Sequence, residues 1–184
     1  MNEAIMRMNN KALIVTGGVL ALALLGGGAA VFAQTATPAG PPSDGEIYVY
    51  DSEPKLVTDN SSTWKFDSDI YAAGSASNYS VPITCPATSS GVSFFMSPVG
   101  NERTPAGWSA WTVAMFPPDS HDVLLATLTP QTFIGGNALA VKAAGGRYSL
   151  GFVCTSSDGV TVDKAYYRAI DMTGGSGDFT VEKR

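Results

Sequence analysis

Arg147-Tyr148-Ser149-Leu150-Gly151-Phe152-Val153-Cys154 is the stretch on which the fold turns. Successive side chains of an extended chain point to opposite faces, so Tyr148, Leu150, Phe152 and Cys154 share one face. A face with three large apolar groups and a cysteine is expected to lie against the core. Gly145-Gly146 permits a sharp turn into this strand, and Ser156-Ser157-Asp158-Gly159 after it is a hairpin signal, the Gly supplying positive φ. Val160 to Ile170, rich in Val, Thr and Tyr, reads as the returning strand.

Outward from this hairpin the alternation weakens but persists. Asn137 to Lys142 carries Leu139 and Val141 on one face and is read as a further alternating segment leading into the corner. Val123 to Leu128 is a short apolar run. Trp108 to Phe116 is apolar on both faces, as expected of a central strand covered on each side or crossing between sheets. Gly91–Met96 and Tyr79–Thr84 are further strands, and Pro82 places the latter at an edge or a bulge. Glu46–Tyr50 and Thr63–Phe66 open the arrangement and Phe179–Val181 closes it. Strands about 8–12 residues apart with turn signals between them predict an all-β, two-sheet sandwich over residues 46–184.

Residues 1–33 have a different character. Arg7 and Lys11 precede an apolar stretch from Ala12 that ends in Val31-Phe32-Ala33, the form of a secretory signal peptide. The same length of apolar chain can span a bilayer as an uncleaved N-terminal anchor helix. Either way the remainder is expected outside the cytoplasm, with the membrane touched only through this segment. Residues 34–45 (QTATPAGPPSDG) read as a Pro/Gly/Thr-rich linker. The net charge is −5; the leader carries +1, leaving −6 for the rest, a sign that repels phosphate backbones and argues against nucleic acid. Two cysteines in an exported chain are most simply paired, Cys85 with Cys154. Two free buried thiols, or a bond to another chain, are the alternatives.

The run from Gly146 to Cys154 resembles the late-strand motif of immunoglobulin-like modules, where a Gly turn, a corner Tyr and a Cys bonded across the sheets recur. The segments Ile83-Thr84-Cys85-Pro86, Ser97-Pro98, Glu102-Arg103-Thr104-Pro105, Trp108 and Val141-Lys142-Ala143-Ala144-Gly145-Gly146 add to it. Together they resemble bacterial secreted surface proteins, of an actinobacterial kind, that carry such domains. The resemblance implies an immunoglobulin-like sandwich closed by one disulfide. It departs from antibody domains, whose core Trp follows the first Cys closely: Trp108 and Trp111 come 23 and 26 residues after Cys85. Phe152 also stands where their corner Tyr belongs.

Candidate chemistry is sparse. Ser120-His121-Asp122 are neighbours, whereas a catalytic triad converges from separate elements. His121 with Asp119 and Asp122 makes an incomplete metal shell, and Asp67, Asp69 and Asp158 lack the oxygen density calcium needs. Gly174-Gly175-Ser176-Gly177 has no Lys-Ser/Thr to follow, so it is no phosphate cradle. No catalytic residue, metal or cofactor is assigned. The candidates that stand are aromatic: Trp108, Trp111, Tyr166 and Tyr167. Trp108 and Trp111 differ by three and Tyr166 and Tyr167 by one, so each pair is expected to split between faces, leaving one ring outward to meet a protein or a sugar. The expectation is a non-catalytic secreted or cell-surface domain serving extracellular interaction or envelope structure, with an extracellular protein or glycan as partner. A carbohydrate-binding module or adhesin is the alternative, and a small secreted hydrolase the remote one.

Overall fold

The structure, a computed structural model, describes residues 42–57 and 62–182. The signal or anchor segment and residues 34–41 of the linker lie outside them. Twelve strands follow in chain order among the described residues: β1 (Tyr48–Asp51), β2 (Leu56–Val57), β3 (Ile70–Ala73), β4 (Ile83–Thr84), β5 (Gly91–Pro98), β6 (Ala110–Ala114), β7 (Asp122–Val123), β8 (Ala126–Thr127), β9 (Gly135–Gly136), β10 (Gly146–Thr155), β11 (Val162–Met172) and β12 (Phe179–Val181). One helix, α1 (Ala138–Ala144), precedes β10. All pairings are antiparallel and give sheets in the order β2-β1-β3-β8, β12-β11-β10-β5-β6-β9 and β4-β7.

The hairpin read from the sequence is β10–β11, in register from Gly146↔Met172 to Cys154↔Lys164. Local chemistry builds its turn. Gly159 takes φ +71°, and the Asp158 carboxylate accepts from the backbone N–H groups of Val160 and Thr161 and from the Thr161 hydroxyl. Those bonds, the Thr161 hydroxyl first, hold its carboxyl below the usual range.

Cys85 and Cys154 are bonded, with Cα atoms 5.8 Å apart. Cys154 sits in β10, flanked by β5 and β11, while Cys85 directly follows β4, so the bond ties the largest sheet to the smallest. One core contains Leu150, Phe152 and Cys154 of β10, Ile47, Val49 and Ile70 at the four-stranded sheet, and Ile83 and Val123 of the two-stranded one. A disulfide of this kind belongs to an oxidising compartment.

Several expectations are corrected. Residues 138–144 form a helix, not an alternating segment. Ala, Leu and Lys are strong helix formers, Asn137 caps the N-terminus by accepting from the Ala140 N–H at 2.9 Å, and Gly145, at φ +63°, ends it. Ala138 and Val141, spaced by three, face the core while Leu139 is 69 % exposed. The run 123–128 is broken at Leu125, φ +49°: Val123 pairs with Ile83 and Ala126 with Ala72, so the chain crosses between sheets. Thr63–Phe66 makes only a bridge from Trp64 to Phe179, and Tyr79–Thr84 shortens to β4, which starts after Pro82 and pairs with β7 alone.

The strand covered on both faces is β10, not 108–116. Ser149 to Thr155 are all buried, and the side of the sheet away from the main core has a second apolar cluster of Phe95, Trp108, Val153 and Ala165. The segment 99–109 folds over this side and contributes Trp108. β6, by contrast, leaves Val113 69 % exposed, and Met115, just beyond its end, is 90 % exposed. Among the described residues no helix is long and apolar enough to cross a membrane.

Candidate functional site

The four aromatic candidates are drawn into packing on both sides of the largest sheet. Trp108 precedes β6, at the end of a short 3₁₀ turn (Pro105–Gly107), so the parity argument that separated it from Trp111 does not hold. Its ring stacks on Phe95 with centroids 4.9 Å apart and is buried, and its Nε1–H donates to the Glu102 carbonyl at 3.1 Å. Trp111 packs half-buried against the same cluster. Tyr166 and Tyr167 do split between faces, but each face is covered there. Tyr166 stacks on Phe152 beside the main core; Tyr167 meets Phe95 edge-on at 6.3 Å in the second cluster. That contact crosses β10 at Gly151, the residue opposite both rings in register and the one without a side chain to separate them.

A polar knot lies on the same side. Glu102 is fully buried; its Oε1 accepts from the Ser149 hydroxyl at 2.6 Å and the Gly100 N–H at 2.9 Å. These bonds and the Trp108 contact fasten segment 99–109 to β10. Burial, reinforced by the negative charge of Glu102, pushes the Tyr167 phenol up to about 12, against the pull of Arg103. Arg103 in turn pairs with Asp44 at 2.5 Å. Ser43 and Asp44, read from the sequence as the end of a linker, are bonded along β11. The Asp44 N–H donates to the Ala165 carbonyl at 2.9 Å, its carboxylate accepts from the Ala165 N–H at 2.7 Å, and Ser43 Oγ accepts from the Tyr167 N–H at 3.3 Å. Burial raises the Asp44 carboxyl, but the Ala165 N–H, Arg103 and Lys164 outweigh it and hold the group below its ordinary value.

The remaining polar candidates serve the turns that carry them. Asp122 accepts from the Thr84 hydroxyl at 2.6 Å, Ser120 Oγ accepts from the Asp122 N–H, and the His121 ring packs on Phe116 with centroids 5.0 Å apart. Asp163 is clasped by the hydroxyls of Ser156 and Ser89. Asp67 and Asp69 are exposed. Among the described residues no three His, Cys, Asp or Glu side chains converge.

Among the depressions on the surface of the described residues, two are lined mainly by apolar side chains. The larger, about 510 Å³, lies between Phe66, Phe133, Asn137, Leu139 and Lys142, with the Lys142 ammonium 5.2 Å from the centre of the Phe66 ring. The smaller, about 190 Å³, is an apolar groove beside the end of β6, lined by Phe94, Met115, Phe116, Val123 and Leu124. Sequence reasoning missed Met115 and Leu124 because it placed the first on a covered strand and the second inside an unbroken one. For Met115 the signal is the Pro117-Pro118 pair, which cannot extend the β6 pairing beyond it; for Leu124 the sequence carries none. No protein-family model matches this chain, and comparison with curated proteins and with solved structures finds no match.

Proposed function

We propose that the chain is an exported or surface-displayed, non-catalytic domain of immunoglobulin-like architecture that acts through extracellular contact or as part of the cell envelope. The observation that carries this reading is the Cys85–Cys154 bond joining two sheets around one core. Such a bond persists where thiols are not kept reduced, and a disulfide across antiparallel sheets is the architectural mark that the run 146–154 suggests. The carboxylates Asp44, Asp122, Asp158 and Asp163 all hold structural partners, which supports a binding role rather than acid–base work. Intact mass measurement of exported material tests the reading. Alkylation before reduction should label no cysteine, alkylation after reduction should label both, and the N-terminus should fall after Ala33 or remain at Met1 as an anchor. Two thiols alkylated in the folded, exported chain would refute it.

A glycan partner is the second reading, favoured by the placement of Trp111 and Tyr167 on the same side of the sheet with Phe95 between them. Only part of each ring reaches the surface. A glycan array with the native chain and the Trp111→Ala variant decides it: retained binding by the variant removes the aromatic platform.

A further inference from the structure

The largest sheet has one margin that no strand among the described residues closes along its length. β6 is paired along its length with β5, but on its other side β9 covers only Ala110 and Trp111. From Thr112 to Ala114 no described strand lies on that side. An extended backbone with free N–H and C=O groups is a template for another strand, and proteins usually guard such edges with lysines or other charges. This one has no such guard: between Arg103 and Asp119 the chain holds no charged residue. Its outward side chains, Val113 and Met115, are 69 % and 90 % exposed. Ile134, immediately before β9, and Leu124, across the groove from Met115, extend the apolar margin at 87 % and 56 % exposure.

We infer that this margin pairs with the same margin of a second copy, β6 against β6, antiparallel about a two-fold axis at Ala114. The register follows from what is already occupied. An axis at Val113 would bring Met115 against Trp111, whose edge Gly135 already holds; Pro117 and Pro118 stop the pairing on the other side because they have no N–H to donate. Thr112 to Phe116 is what is left. Centred on Ala114, Val113 meets Met115 of the second copy and Thr112 meets its Phe116, so the apolar side chains cover one another. The absence of charge also selects this surface for self-contact. In a chain of net charge −5, a like-to-like approach favours a strand without charge, and residues 104–118 carry none. A self-complementary edge of this kind generates a closed two-fold dimer. Five residues of edge, three in β6 and two just beyond it, bury less than the roughly 1,200 Å² at which stable interfaces begin, so the pair is a reversible one.

Analytical ultracentrifugation of the exported chain, across concentrations up to its solubility limit, tests this. The native chain should show a monomer–dimer equilibrium. Val113→Lys and Met115→Lys should each weaken dimerisation at least tenfold, and Thr173→Lys, exposed just after β11 at the opposite margin, should leave it unchanged. Circular dichroism and the intact disulfide confirm that each variant folds. Hydrogen exchange should show the amides of residues 112–116 gaining protection as concentration rises. A chain monomeric at every concentration, a dimer indifferent to both lysines, or protection at another strand would each overturn the inference. None of these outcomes bears on the Cys85–Cys154 bond, so the proposed compartment stands or falls separately.

Discussion

The two margins of the six-stranded sheet are finished in opposite ways. On the β11 side the edge is closed along its length: Ser43 and Asp44 bond at Ala165 and Tyr167, the Glu182 N–H donates to the Ala169 carbonyl, and β12 pairs from Ile170 to Met172. Charge reinforces the closure through Arg103–Asp44 at 2.5 Å and Arg147–Glu182 at 2.7 Å. On the β6 side, cover stops at Trp111 and no charge follows until Asp119. One margin is therefore closed to a further strand, and the other is left unpaired beyond Trp111 among the described residues. The contrast shows that capping an edge takes polar groups of the right geometry, and that apolar side chains beside unpaired backbone do not provide it.

The largest expected effect sets the scale and spares neither margin. Replacing both Cys85 and Cys154 with Ser should cost about 4 kcal/mol in the chain-entropy model for a loop of 69 residues, read as a fall in the urea midpoint. Next, Asp44→Ala should open the closed margin. Losing the carboxylate bond to the Ala165 N–H and the Arg103 pair should cost about 1–2 kcal/mol, with exchange rising at Ala165 and Tyr167. The same closure is acid-sensitive. Because the folded carboxyl of Asp44 lies below its ordinary 3.8, its contribution is complete above that value and is lost as pH falls through the lower, folded one. Asp44→Ala should flatten this acid limb of the stability curve. At the alkaline end the Tyr167 phenol, pushed up to about 12 from 10.0, favours the folded state below pH 10; that advantage fades as pH climbs toward the folded value. Tyr167→Phe should abolish the fade, as followed by tyrosinate absorbance and unfolding together. The smallest effect belongs to the open margin: Met115→Lys should change monomer stability by less than about 0.5 kcal/mol, since the side chain is 90 % exposed.

How far the sequence could be read depended on how local the signal was. β10, β11 and their turn were legible because period-two alternation and the Asp158-Gly159 chemistry act over a few residues. The helix at 138–144 was missed although Asn137 and Gly145 bracket it, because a seven-residue segment shows Leu139 and Val141 at a spacing that also suits a strand. The break at Leu125 has no sequence mark, since a positive φ at leucine is imposed by the crossing between sheets. Of the four aromatic candidates, the split between Tyr166 and Tyr167 was foreseeable from parity, but their burial was not. Tyr166 is covered by the main core, and the cover of Tyr167 depends on segment 99–109 folding over the outer side of the sheet, held by Glu102 on Ser149, a contact between residues 47 apart in sequence.

Short-range chemistry in the chain was thus enough to specify alternating strands, tight turns and a pair of thiols that oxidation joins. Which side of a strand is covered, which edge is capped and which aromatic reaches solvent were decided only when distant segments met. Burial and edge pairing are relations between parts of the chain, and no single part carries them.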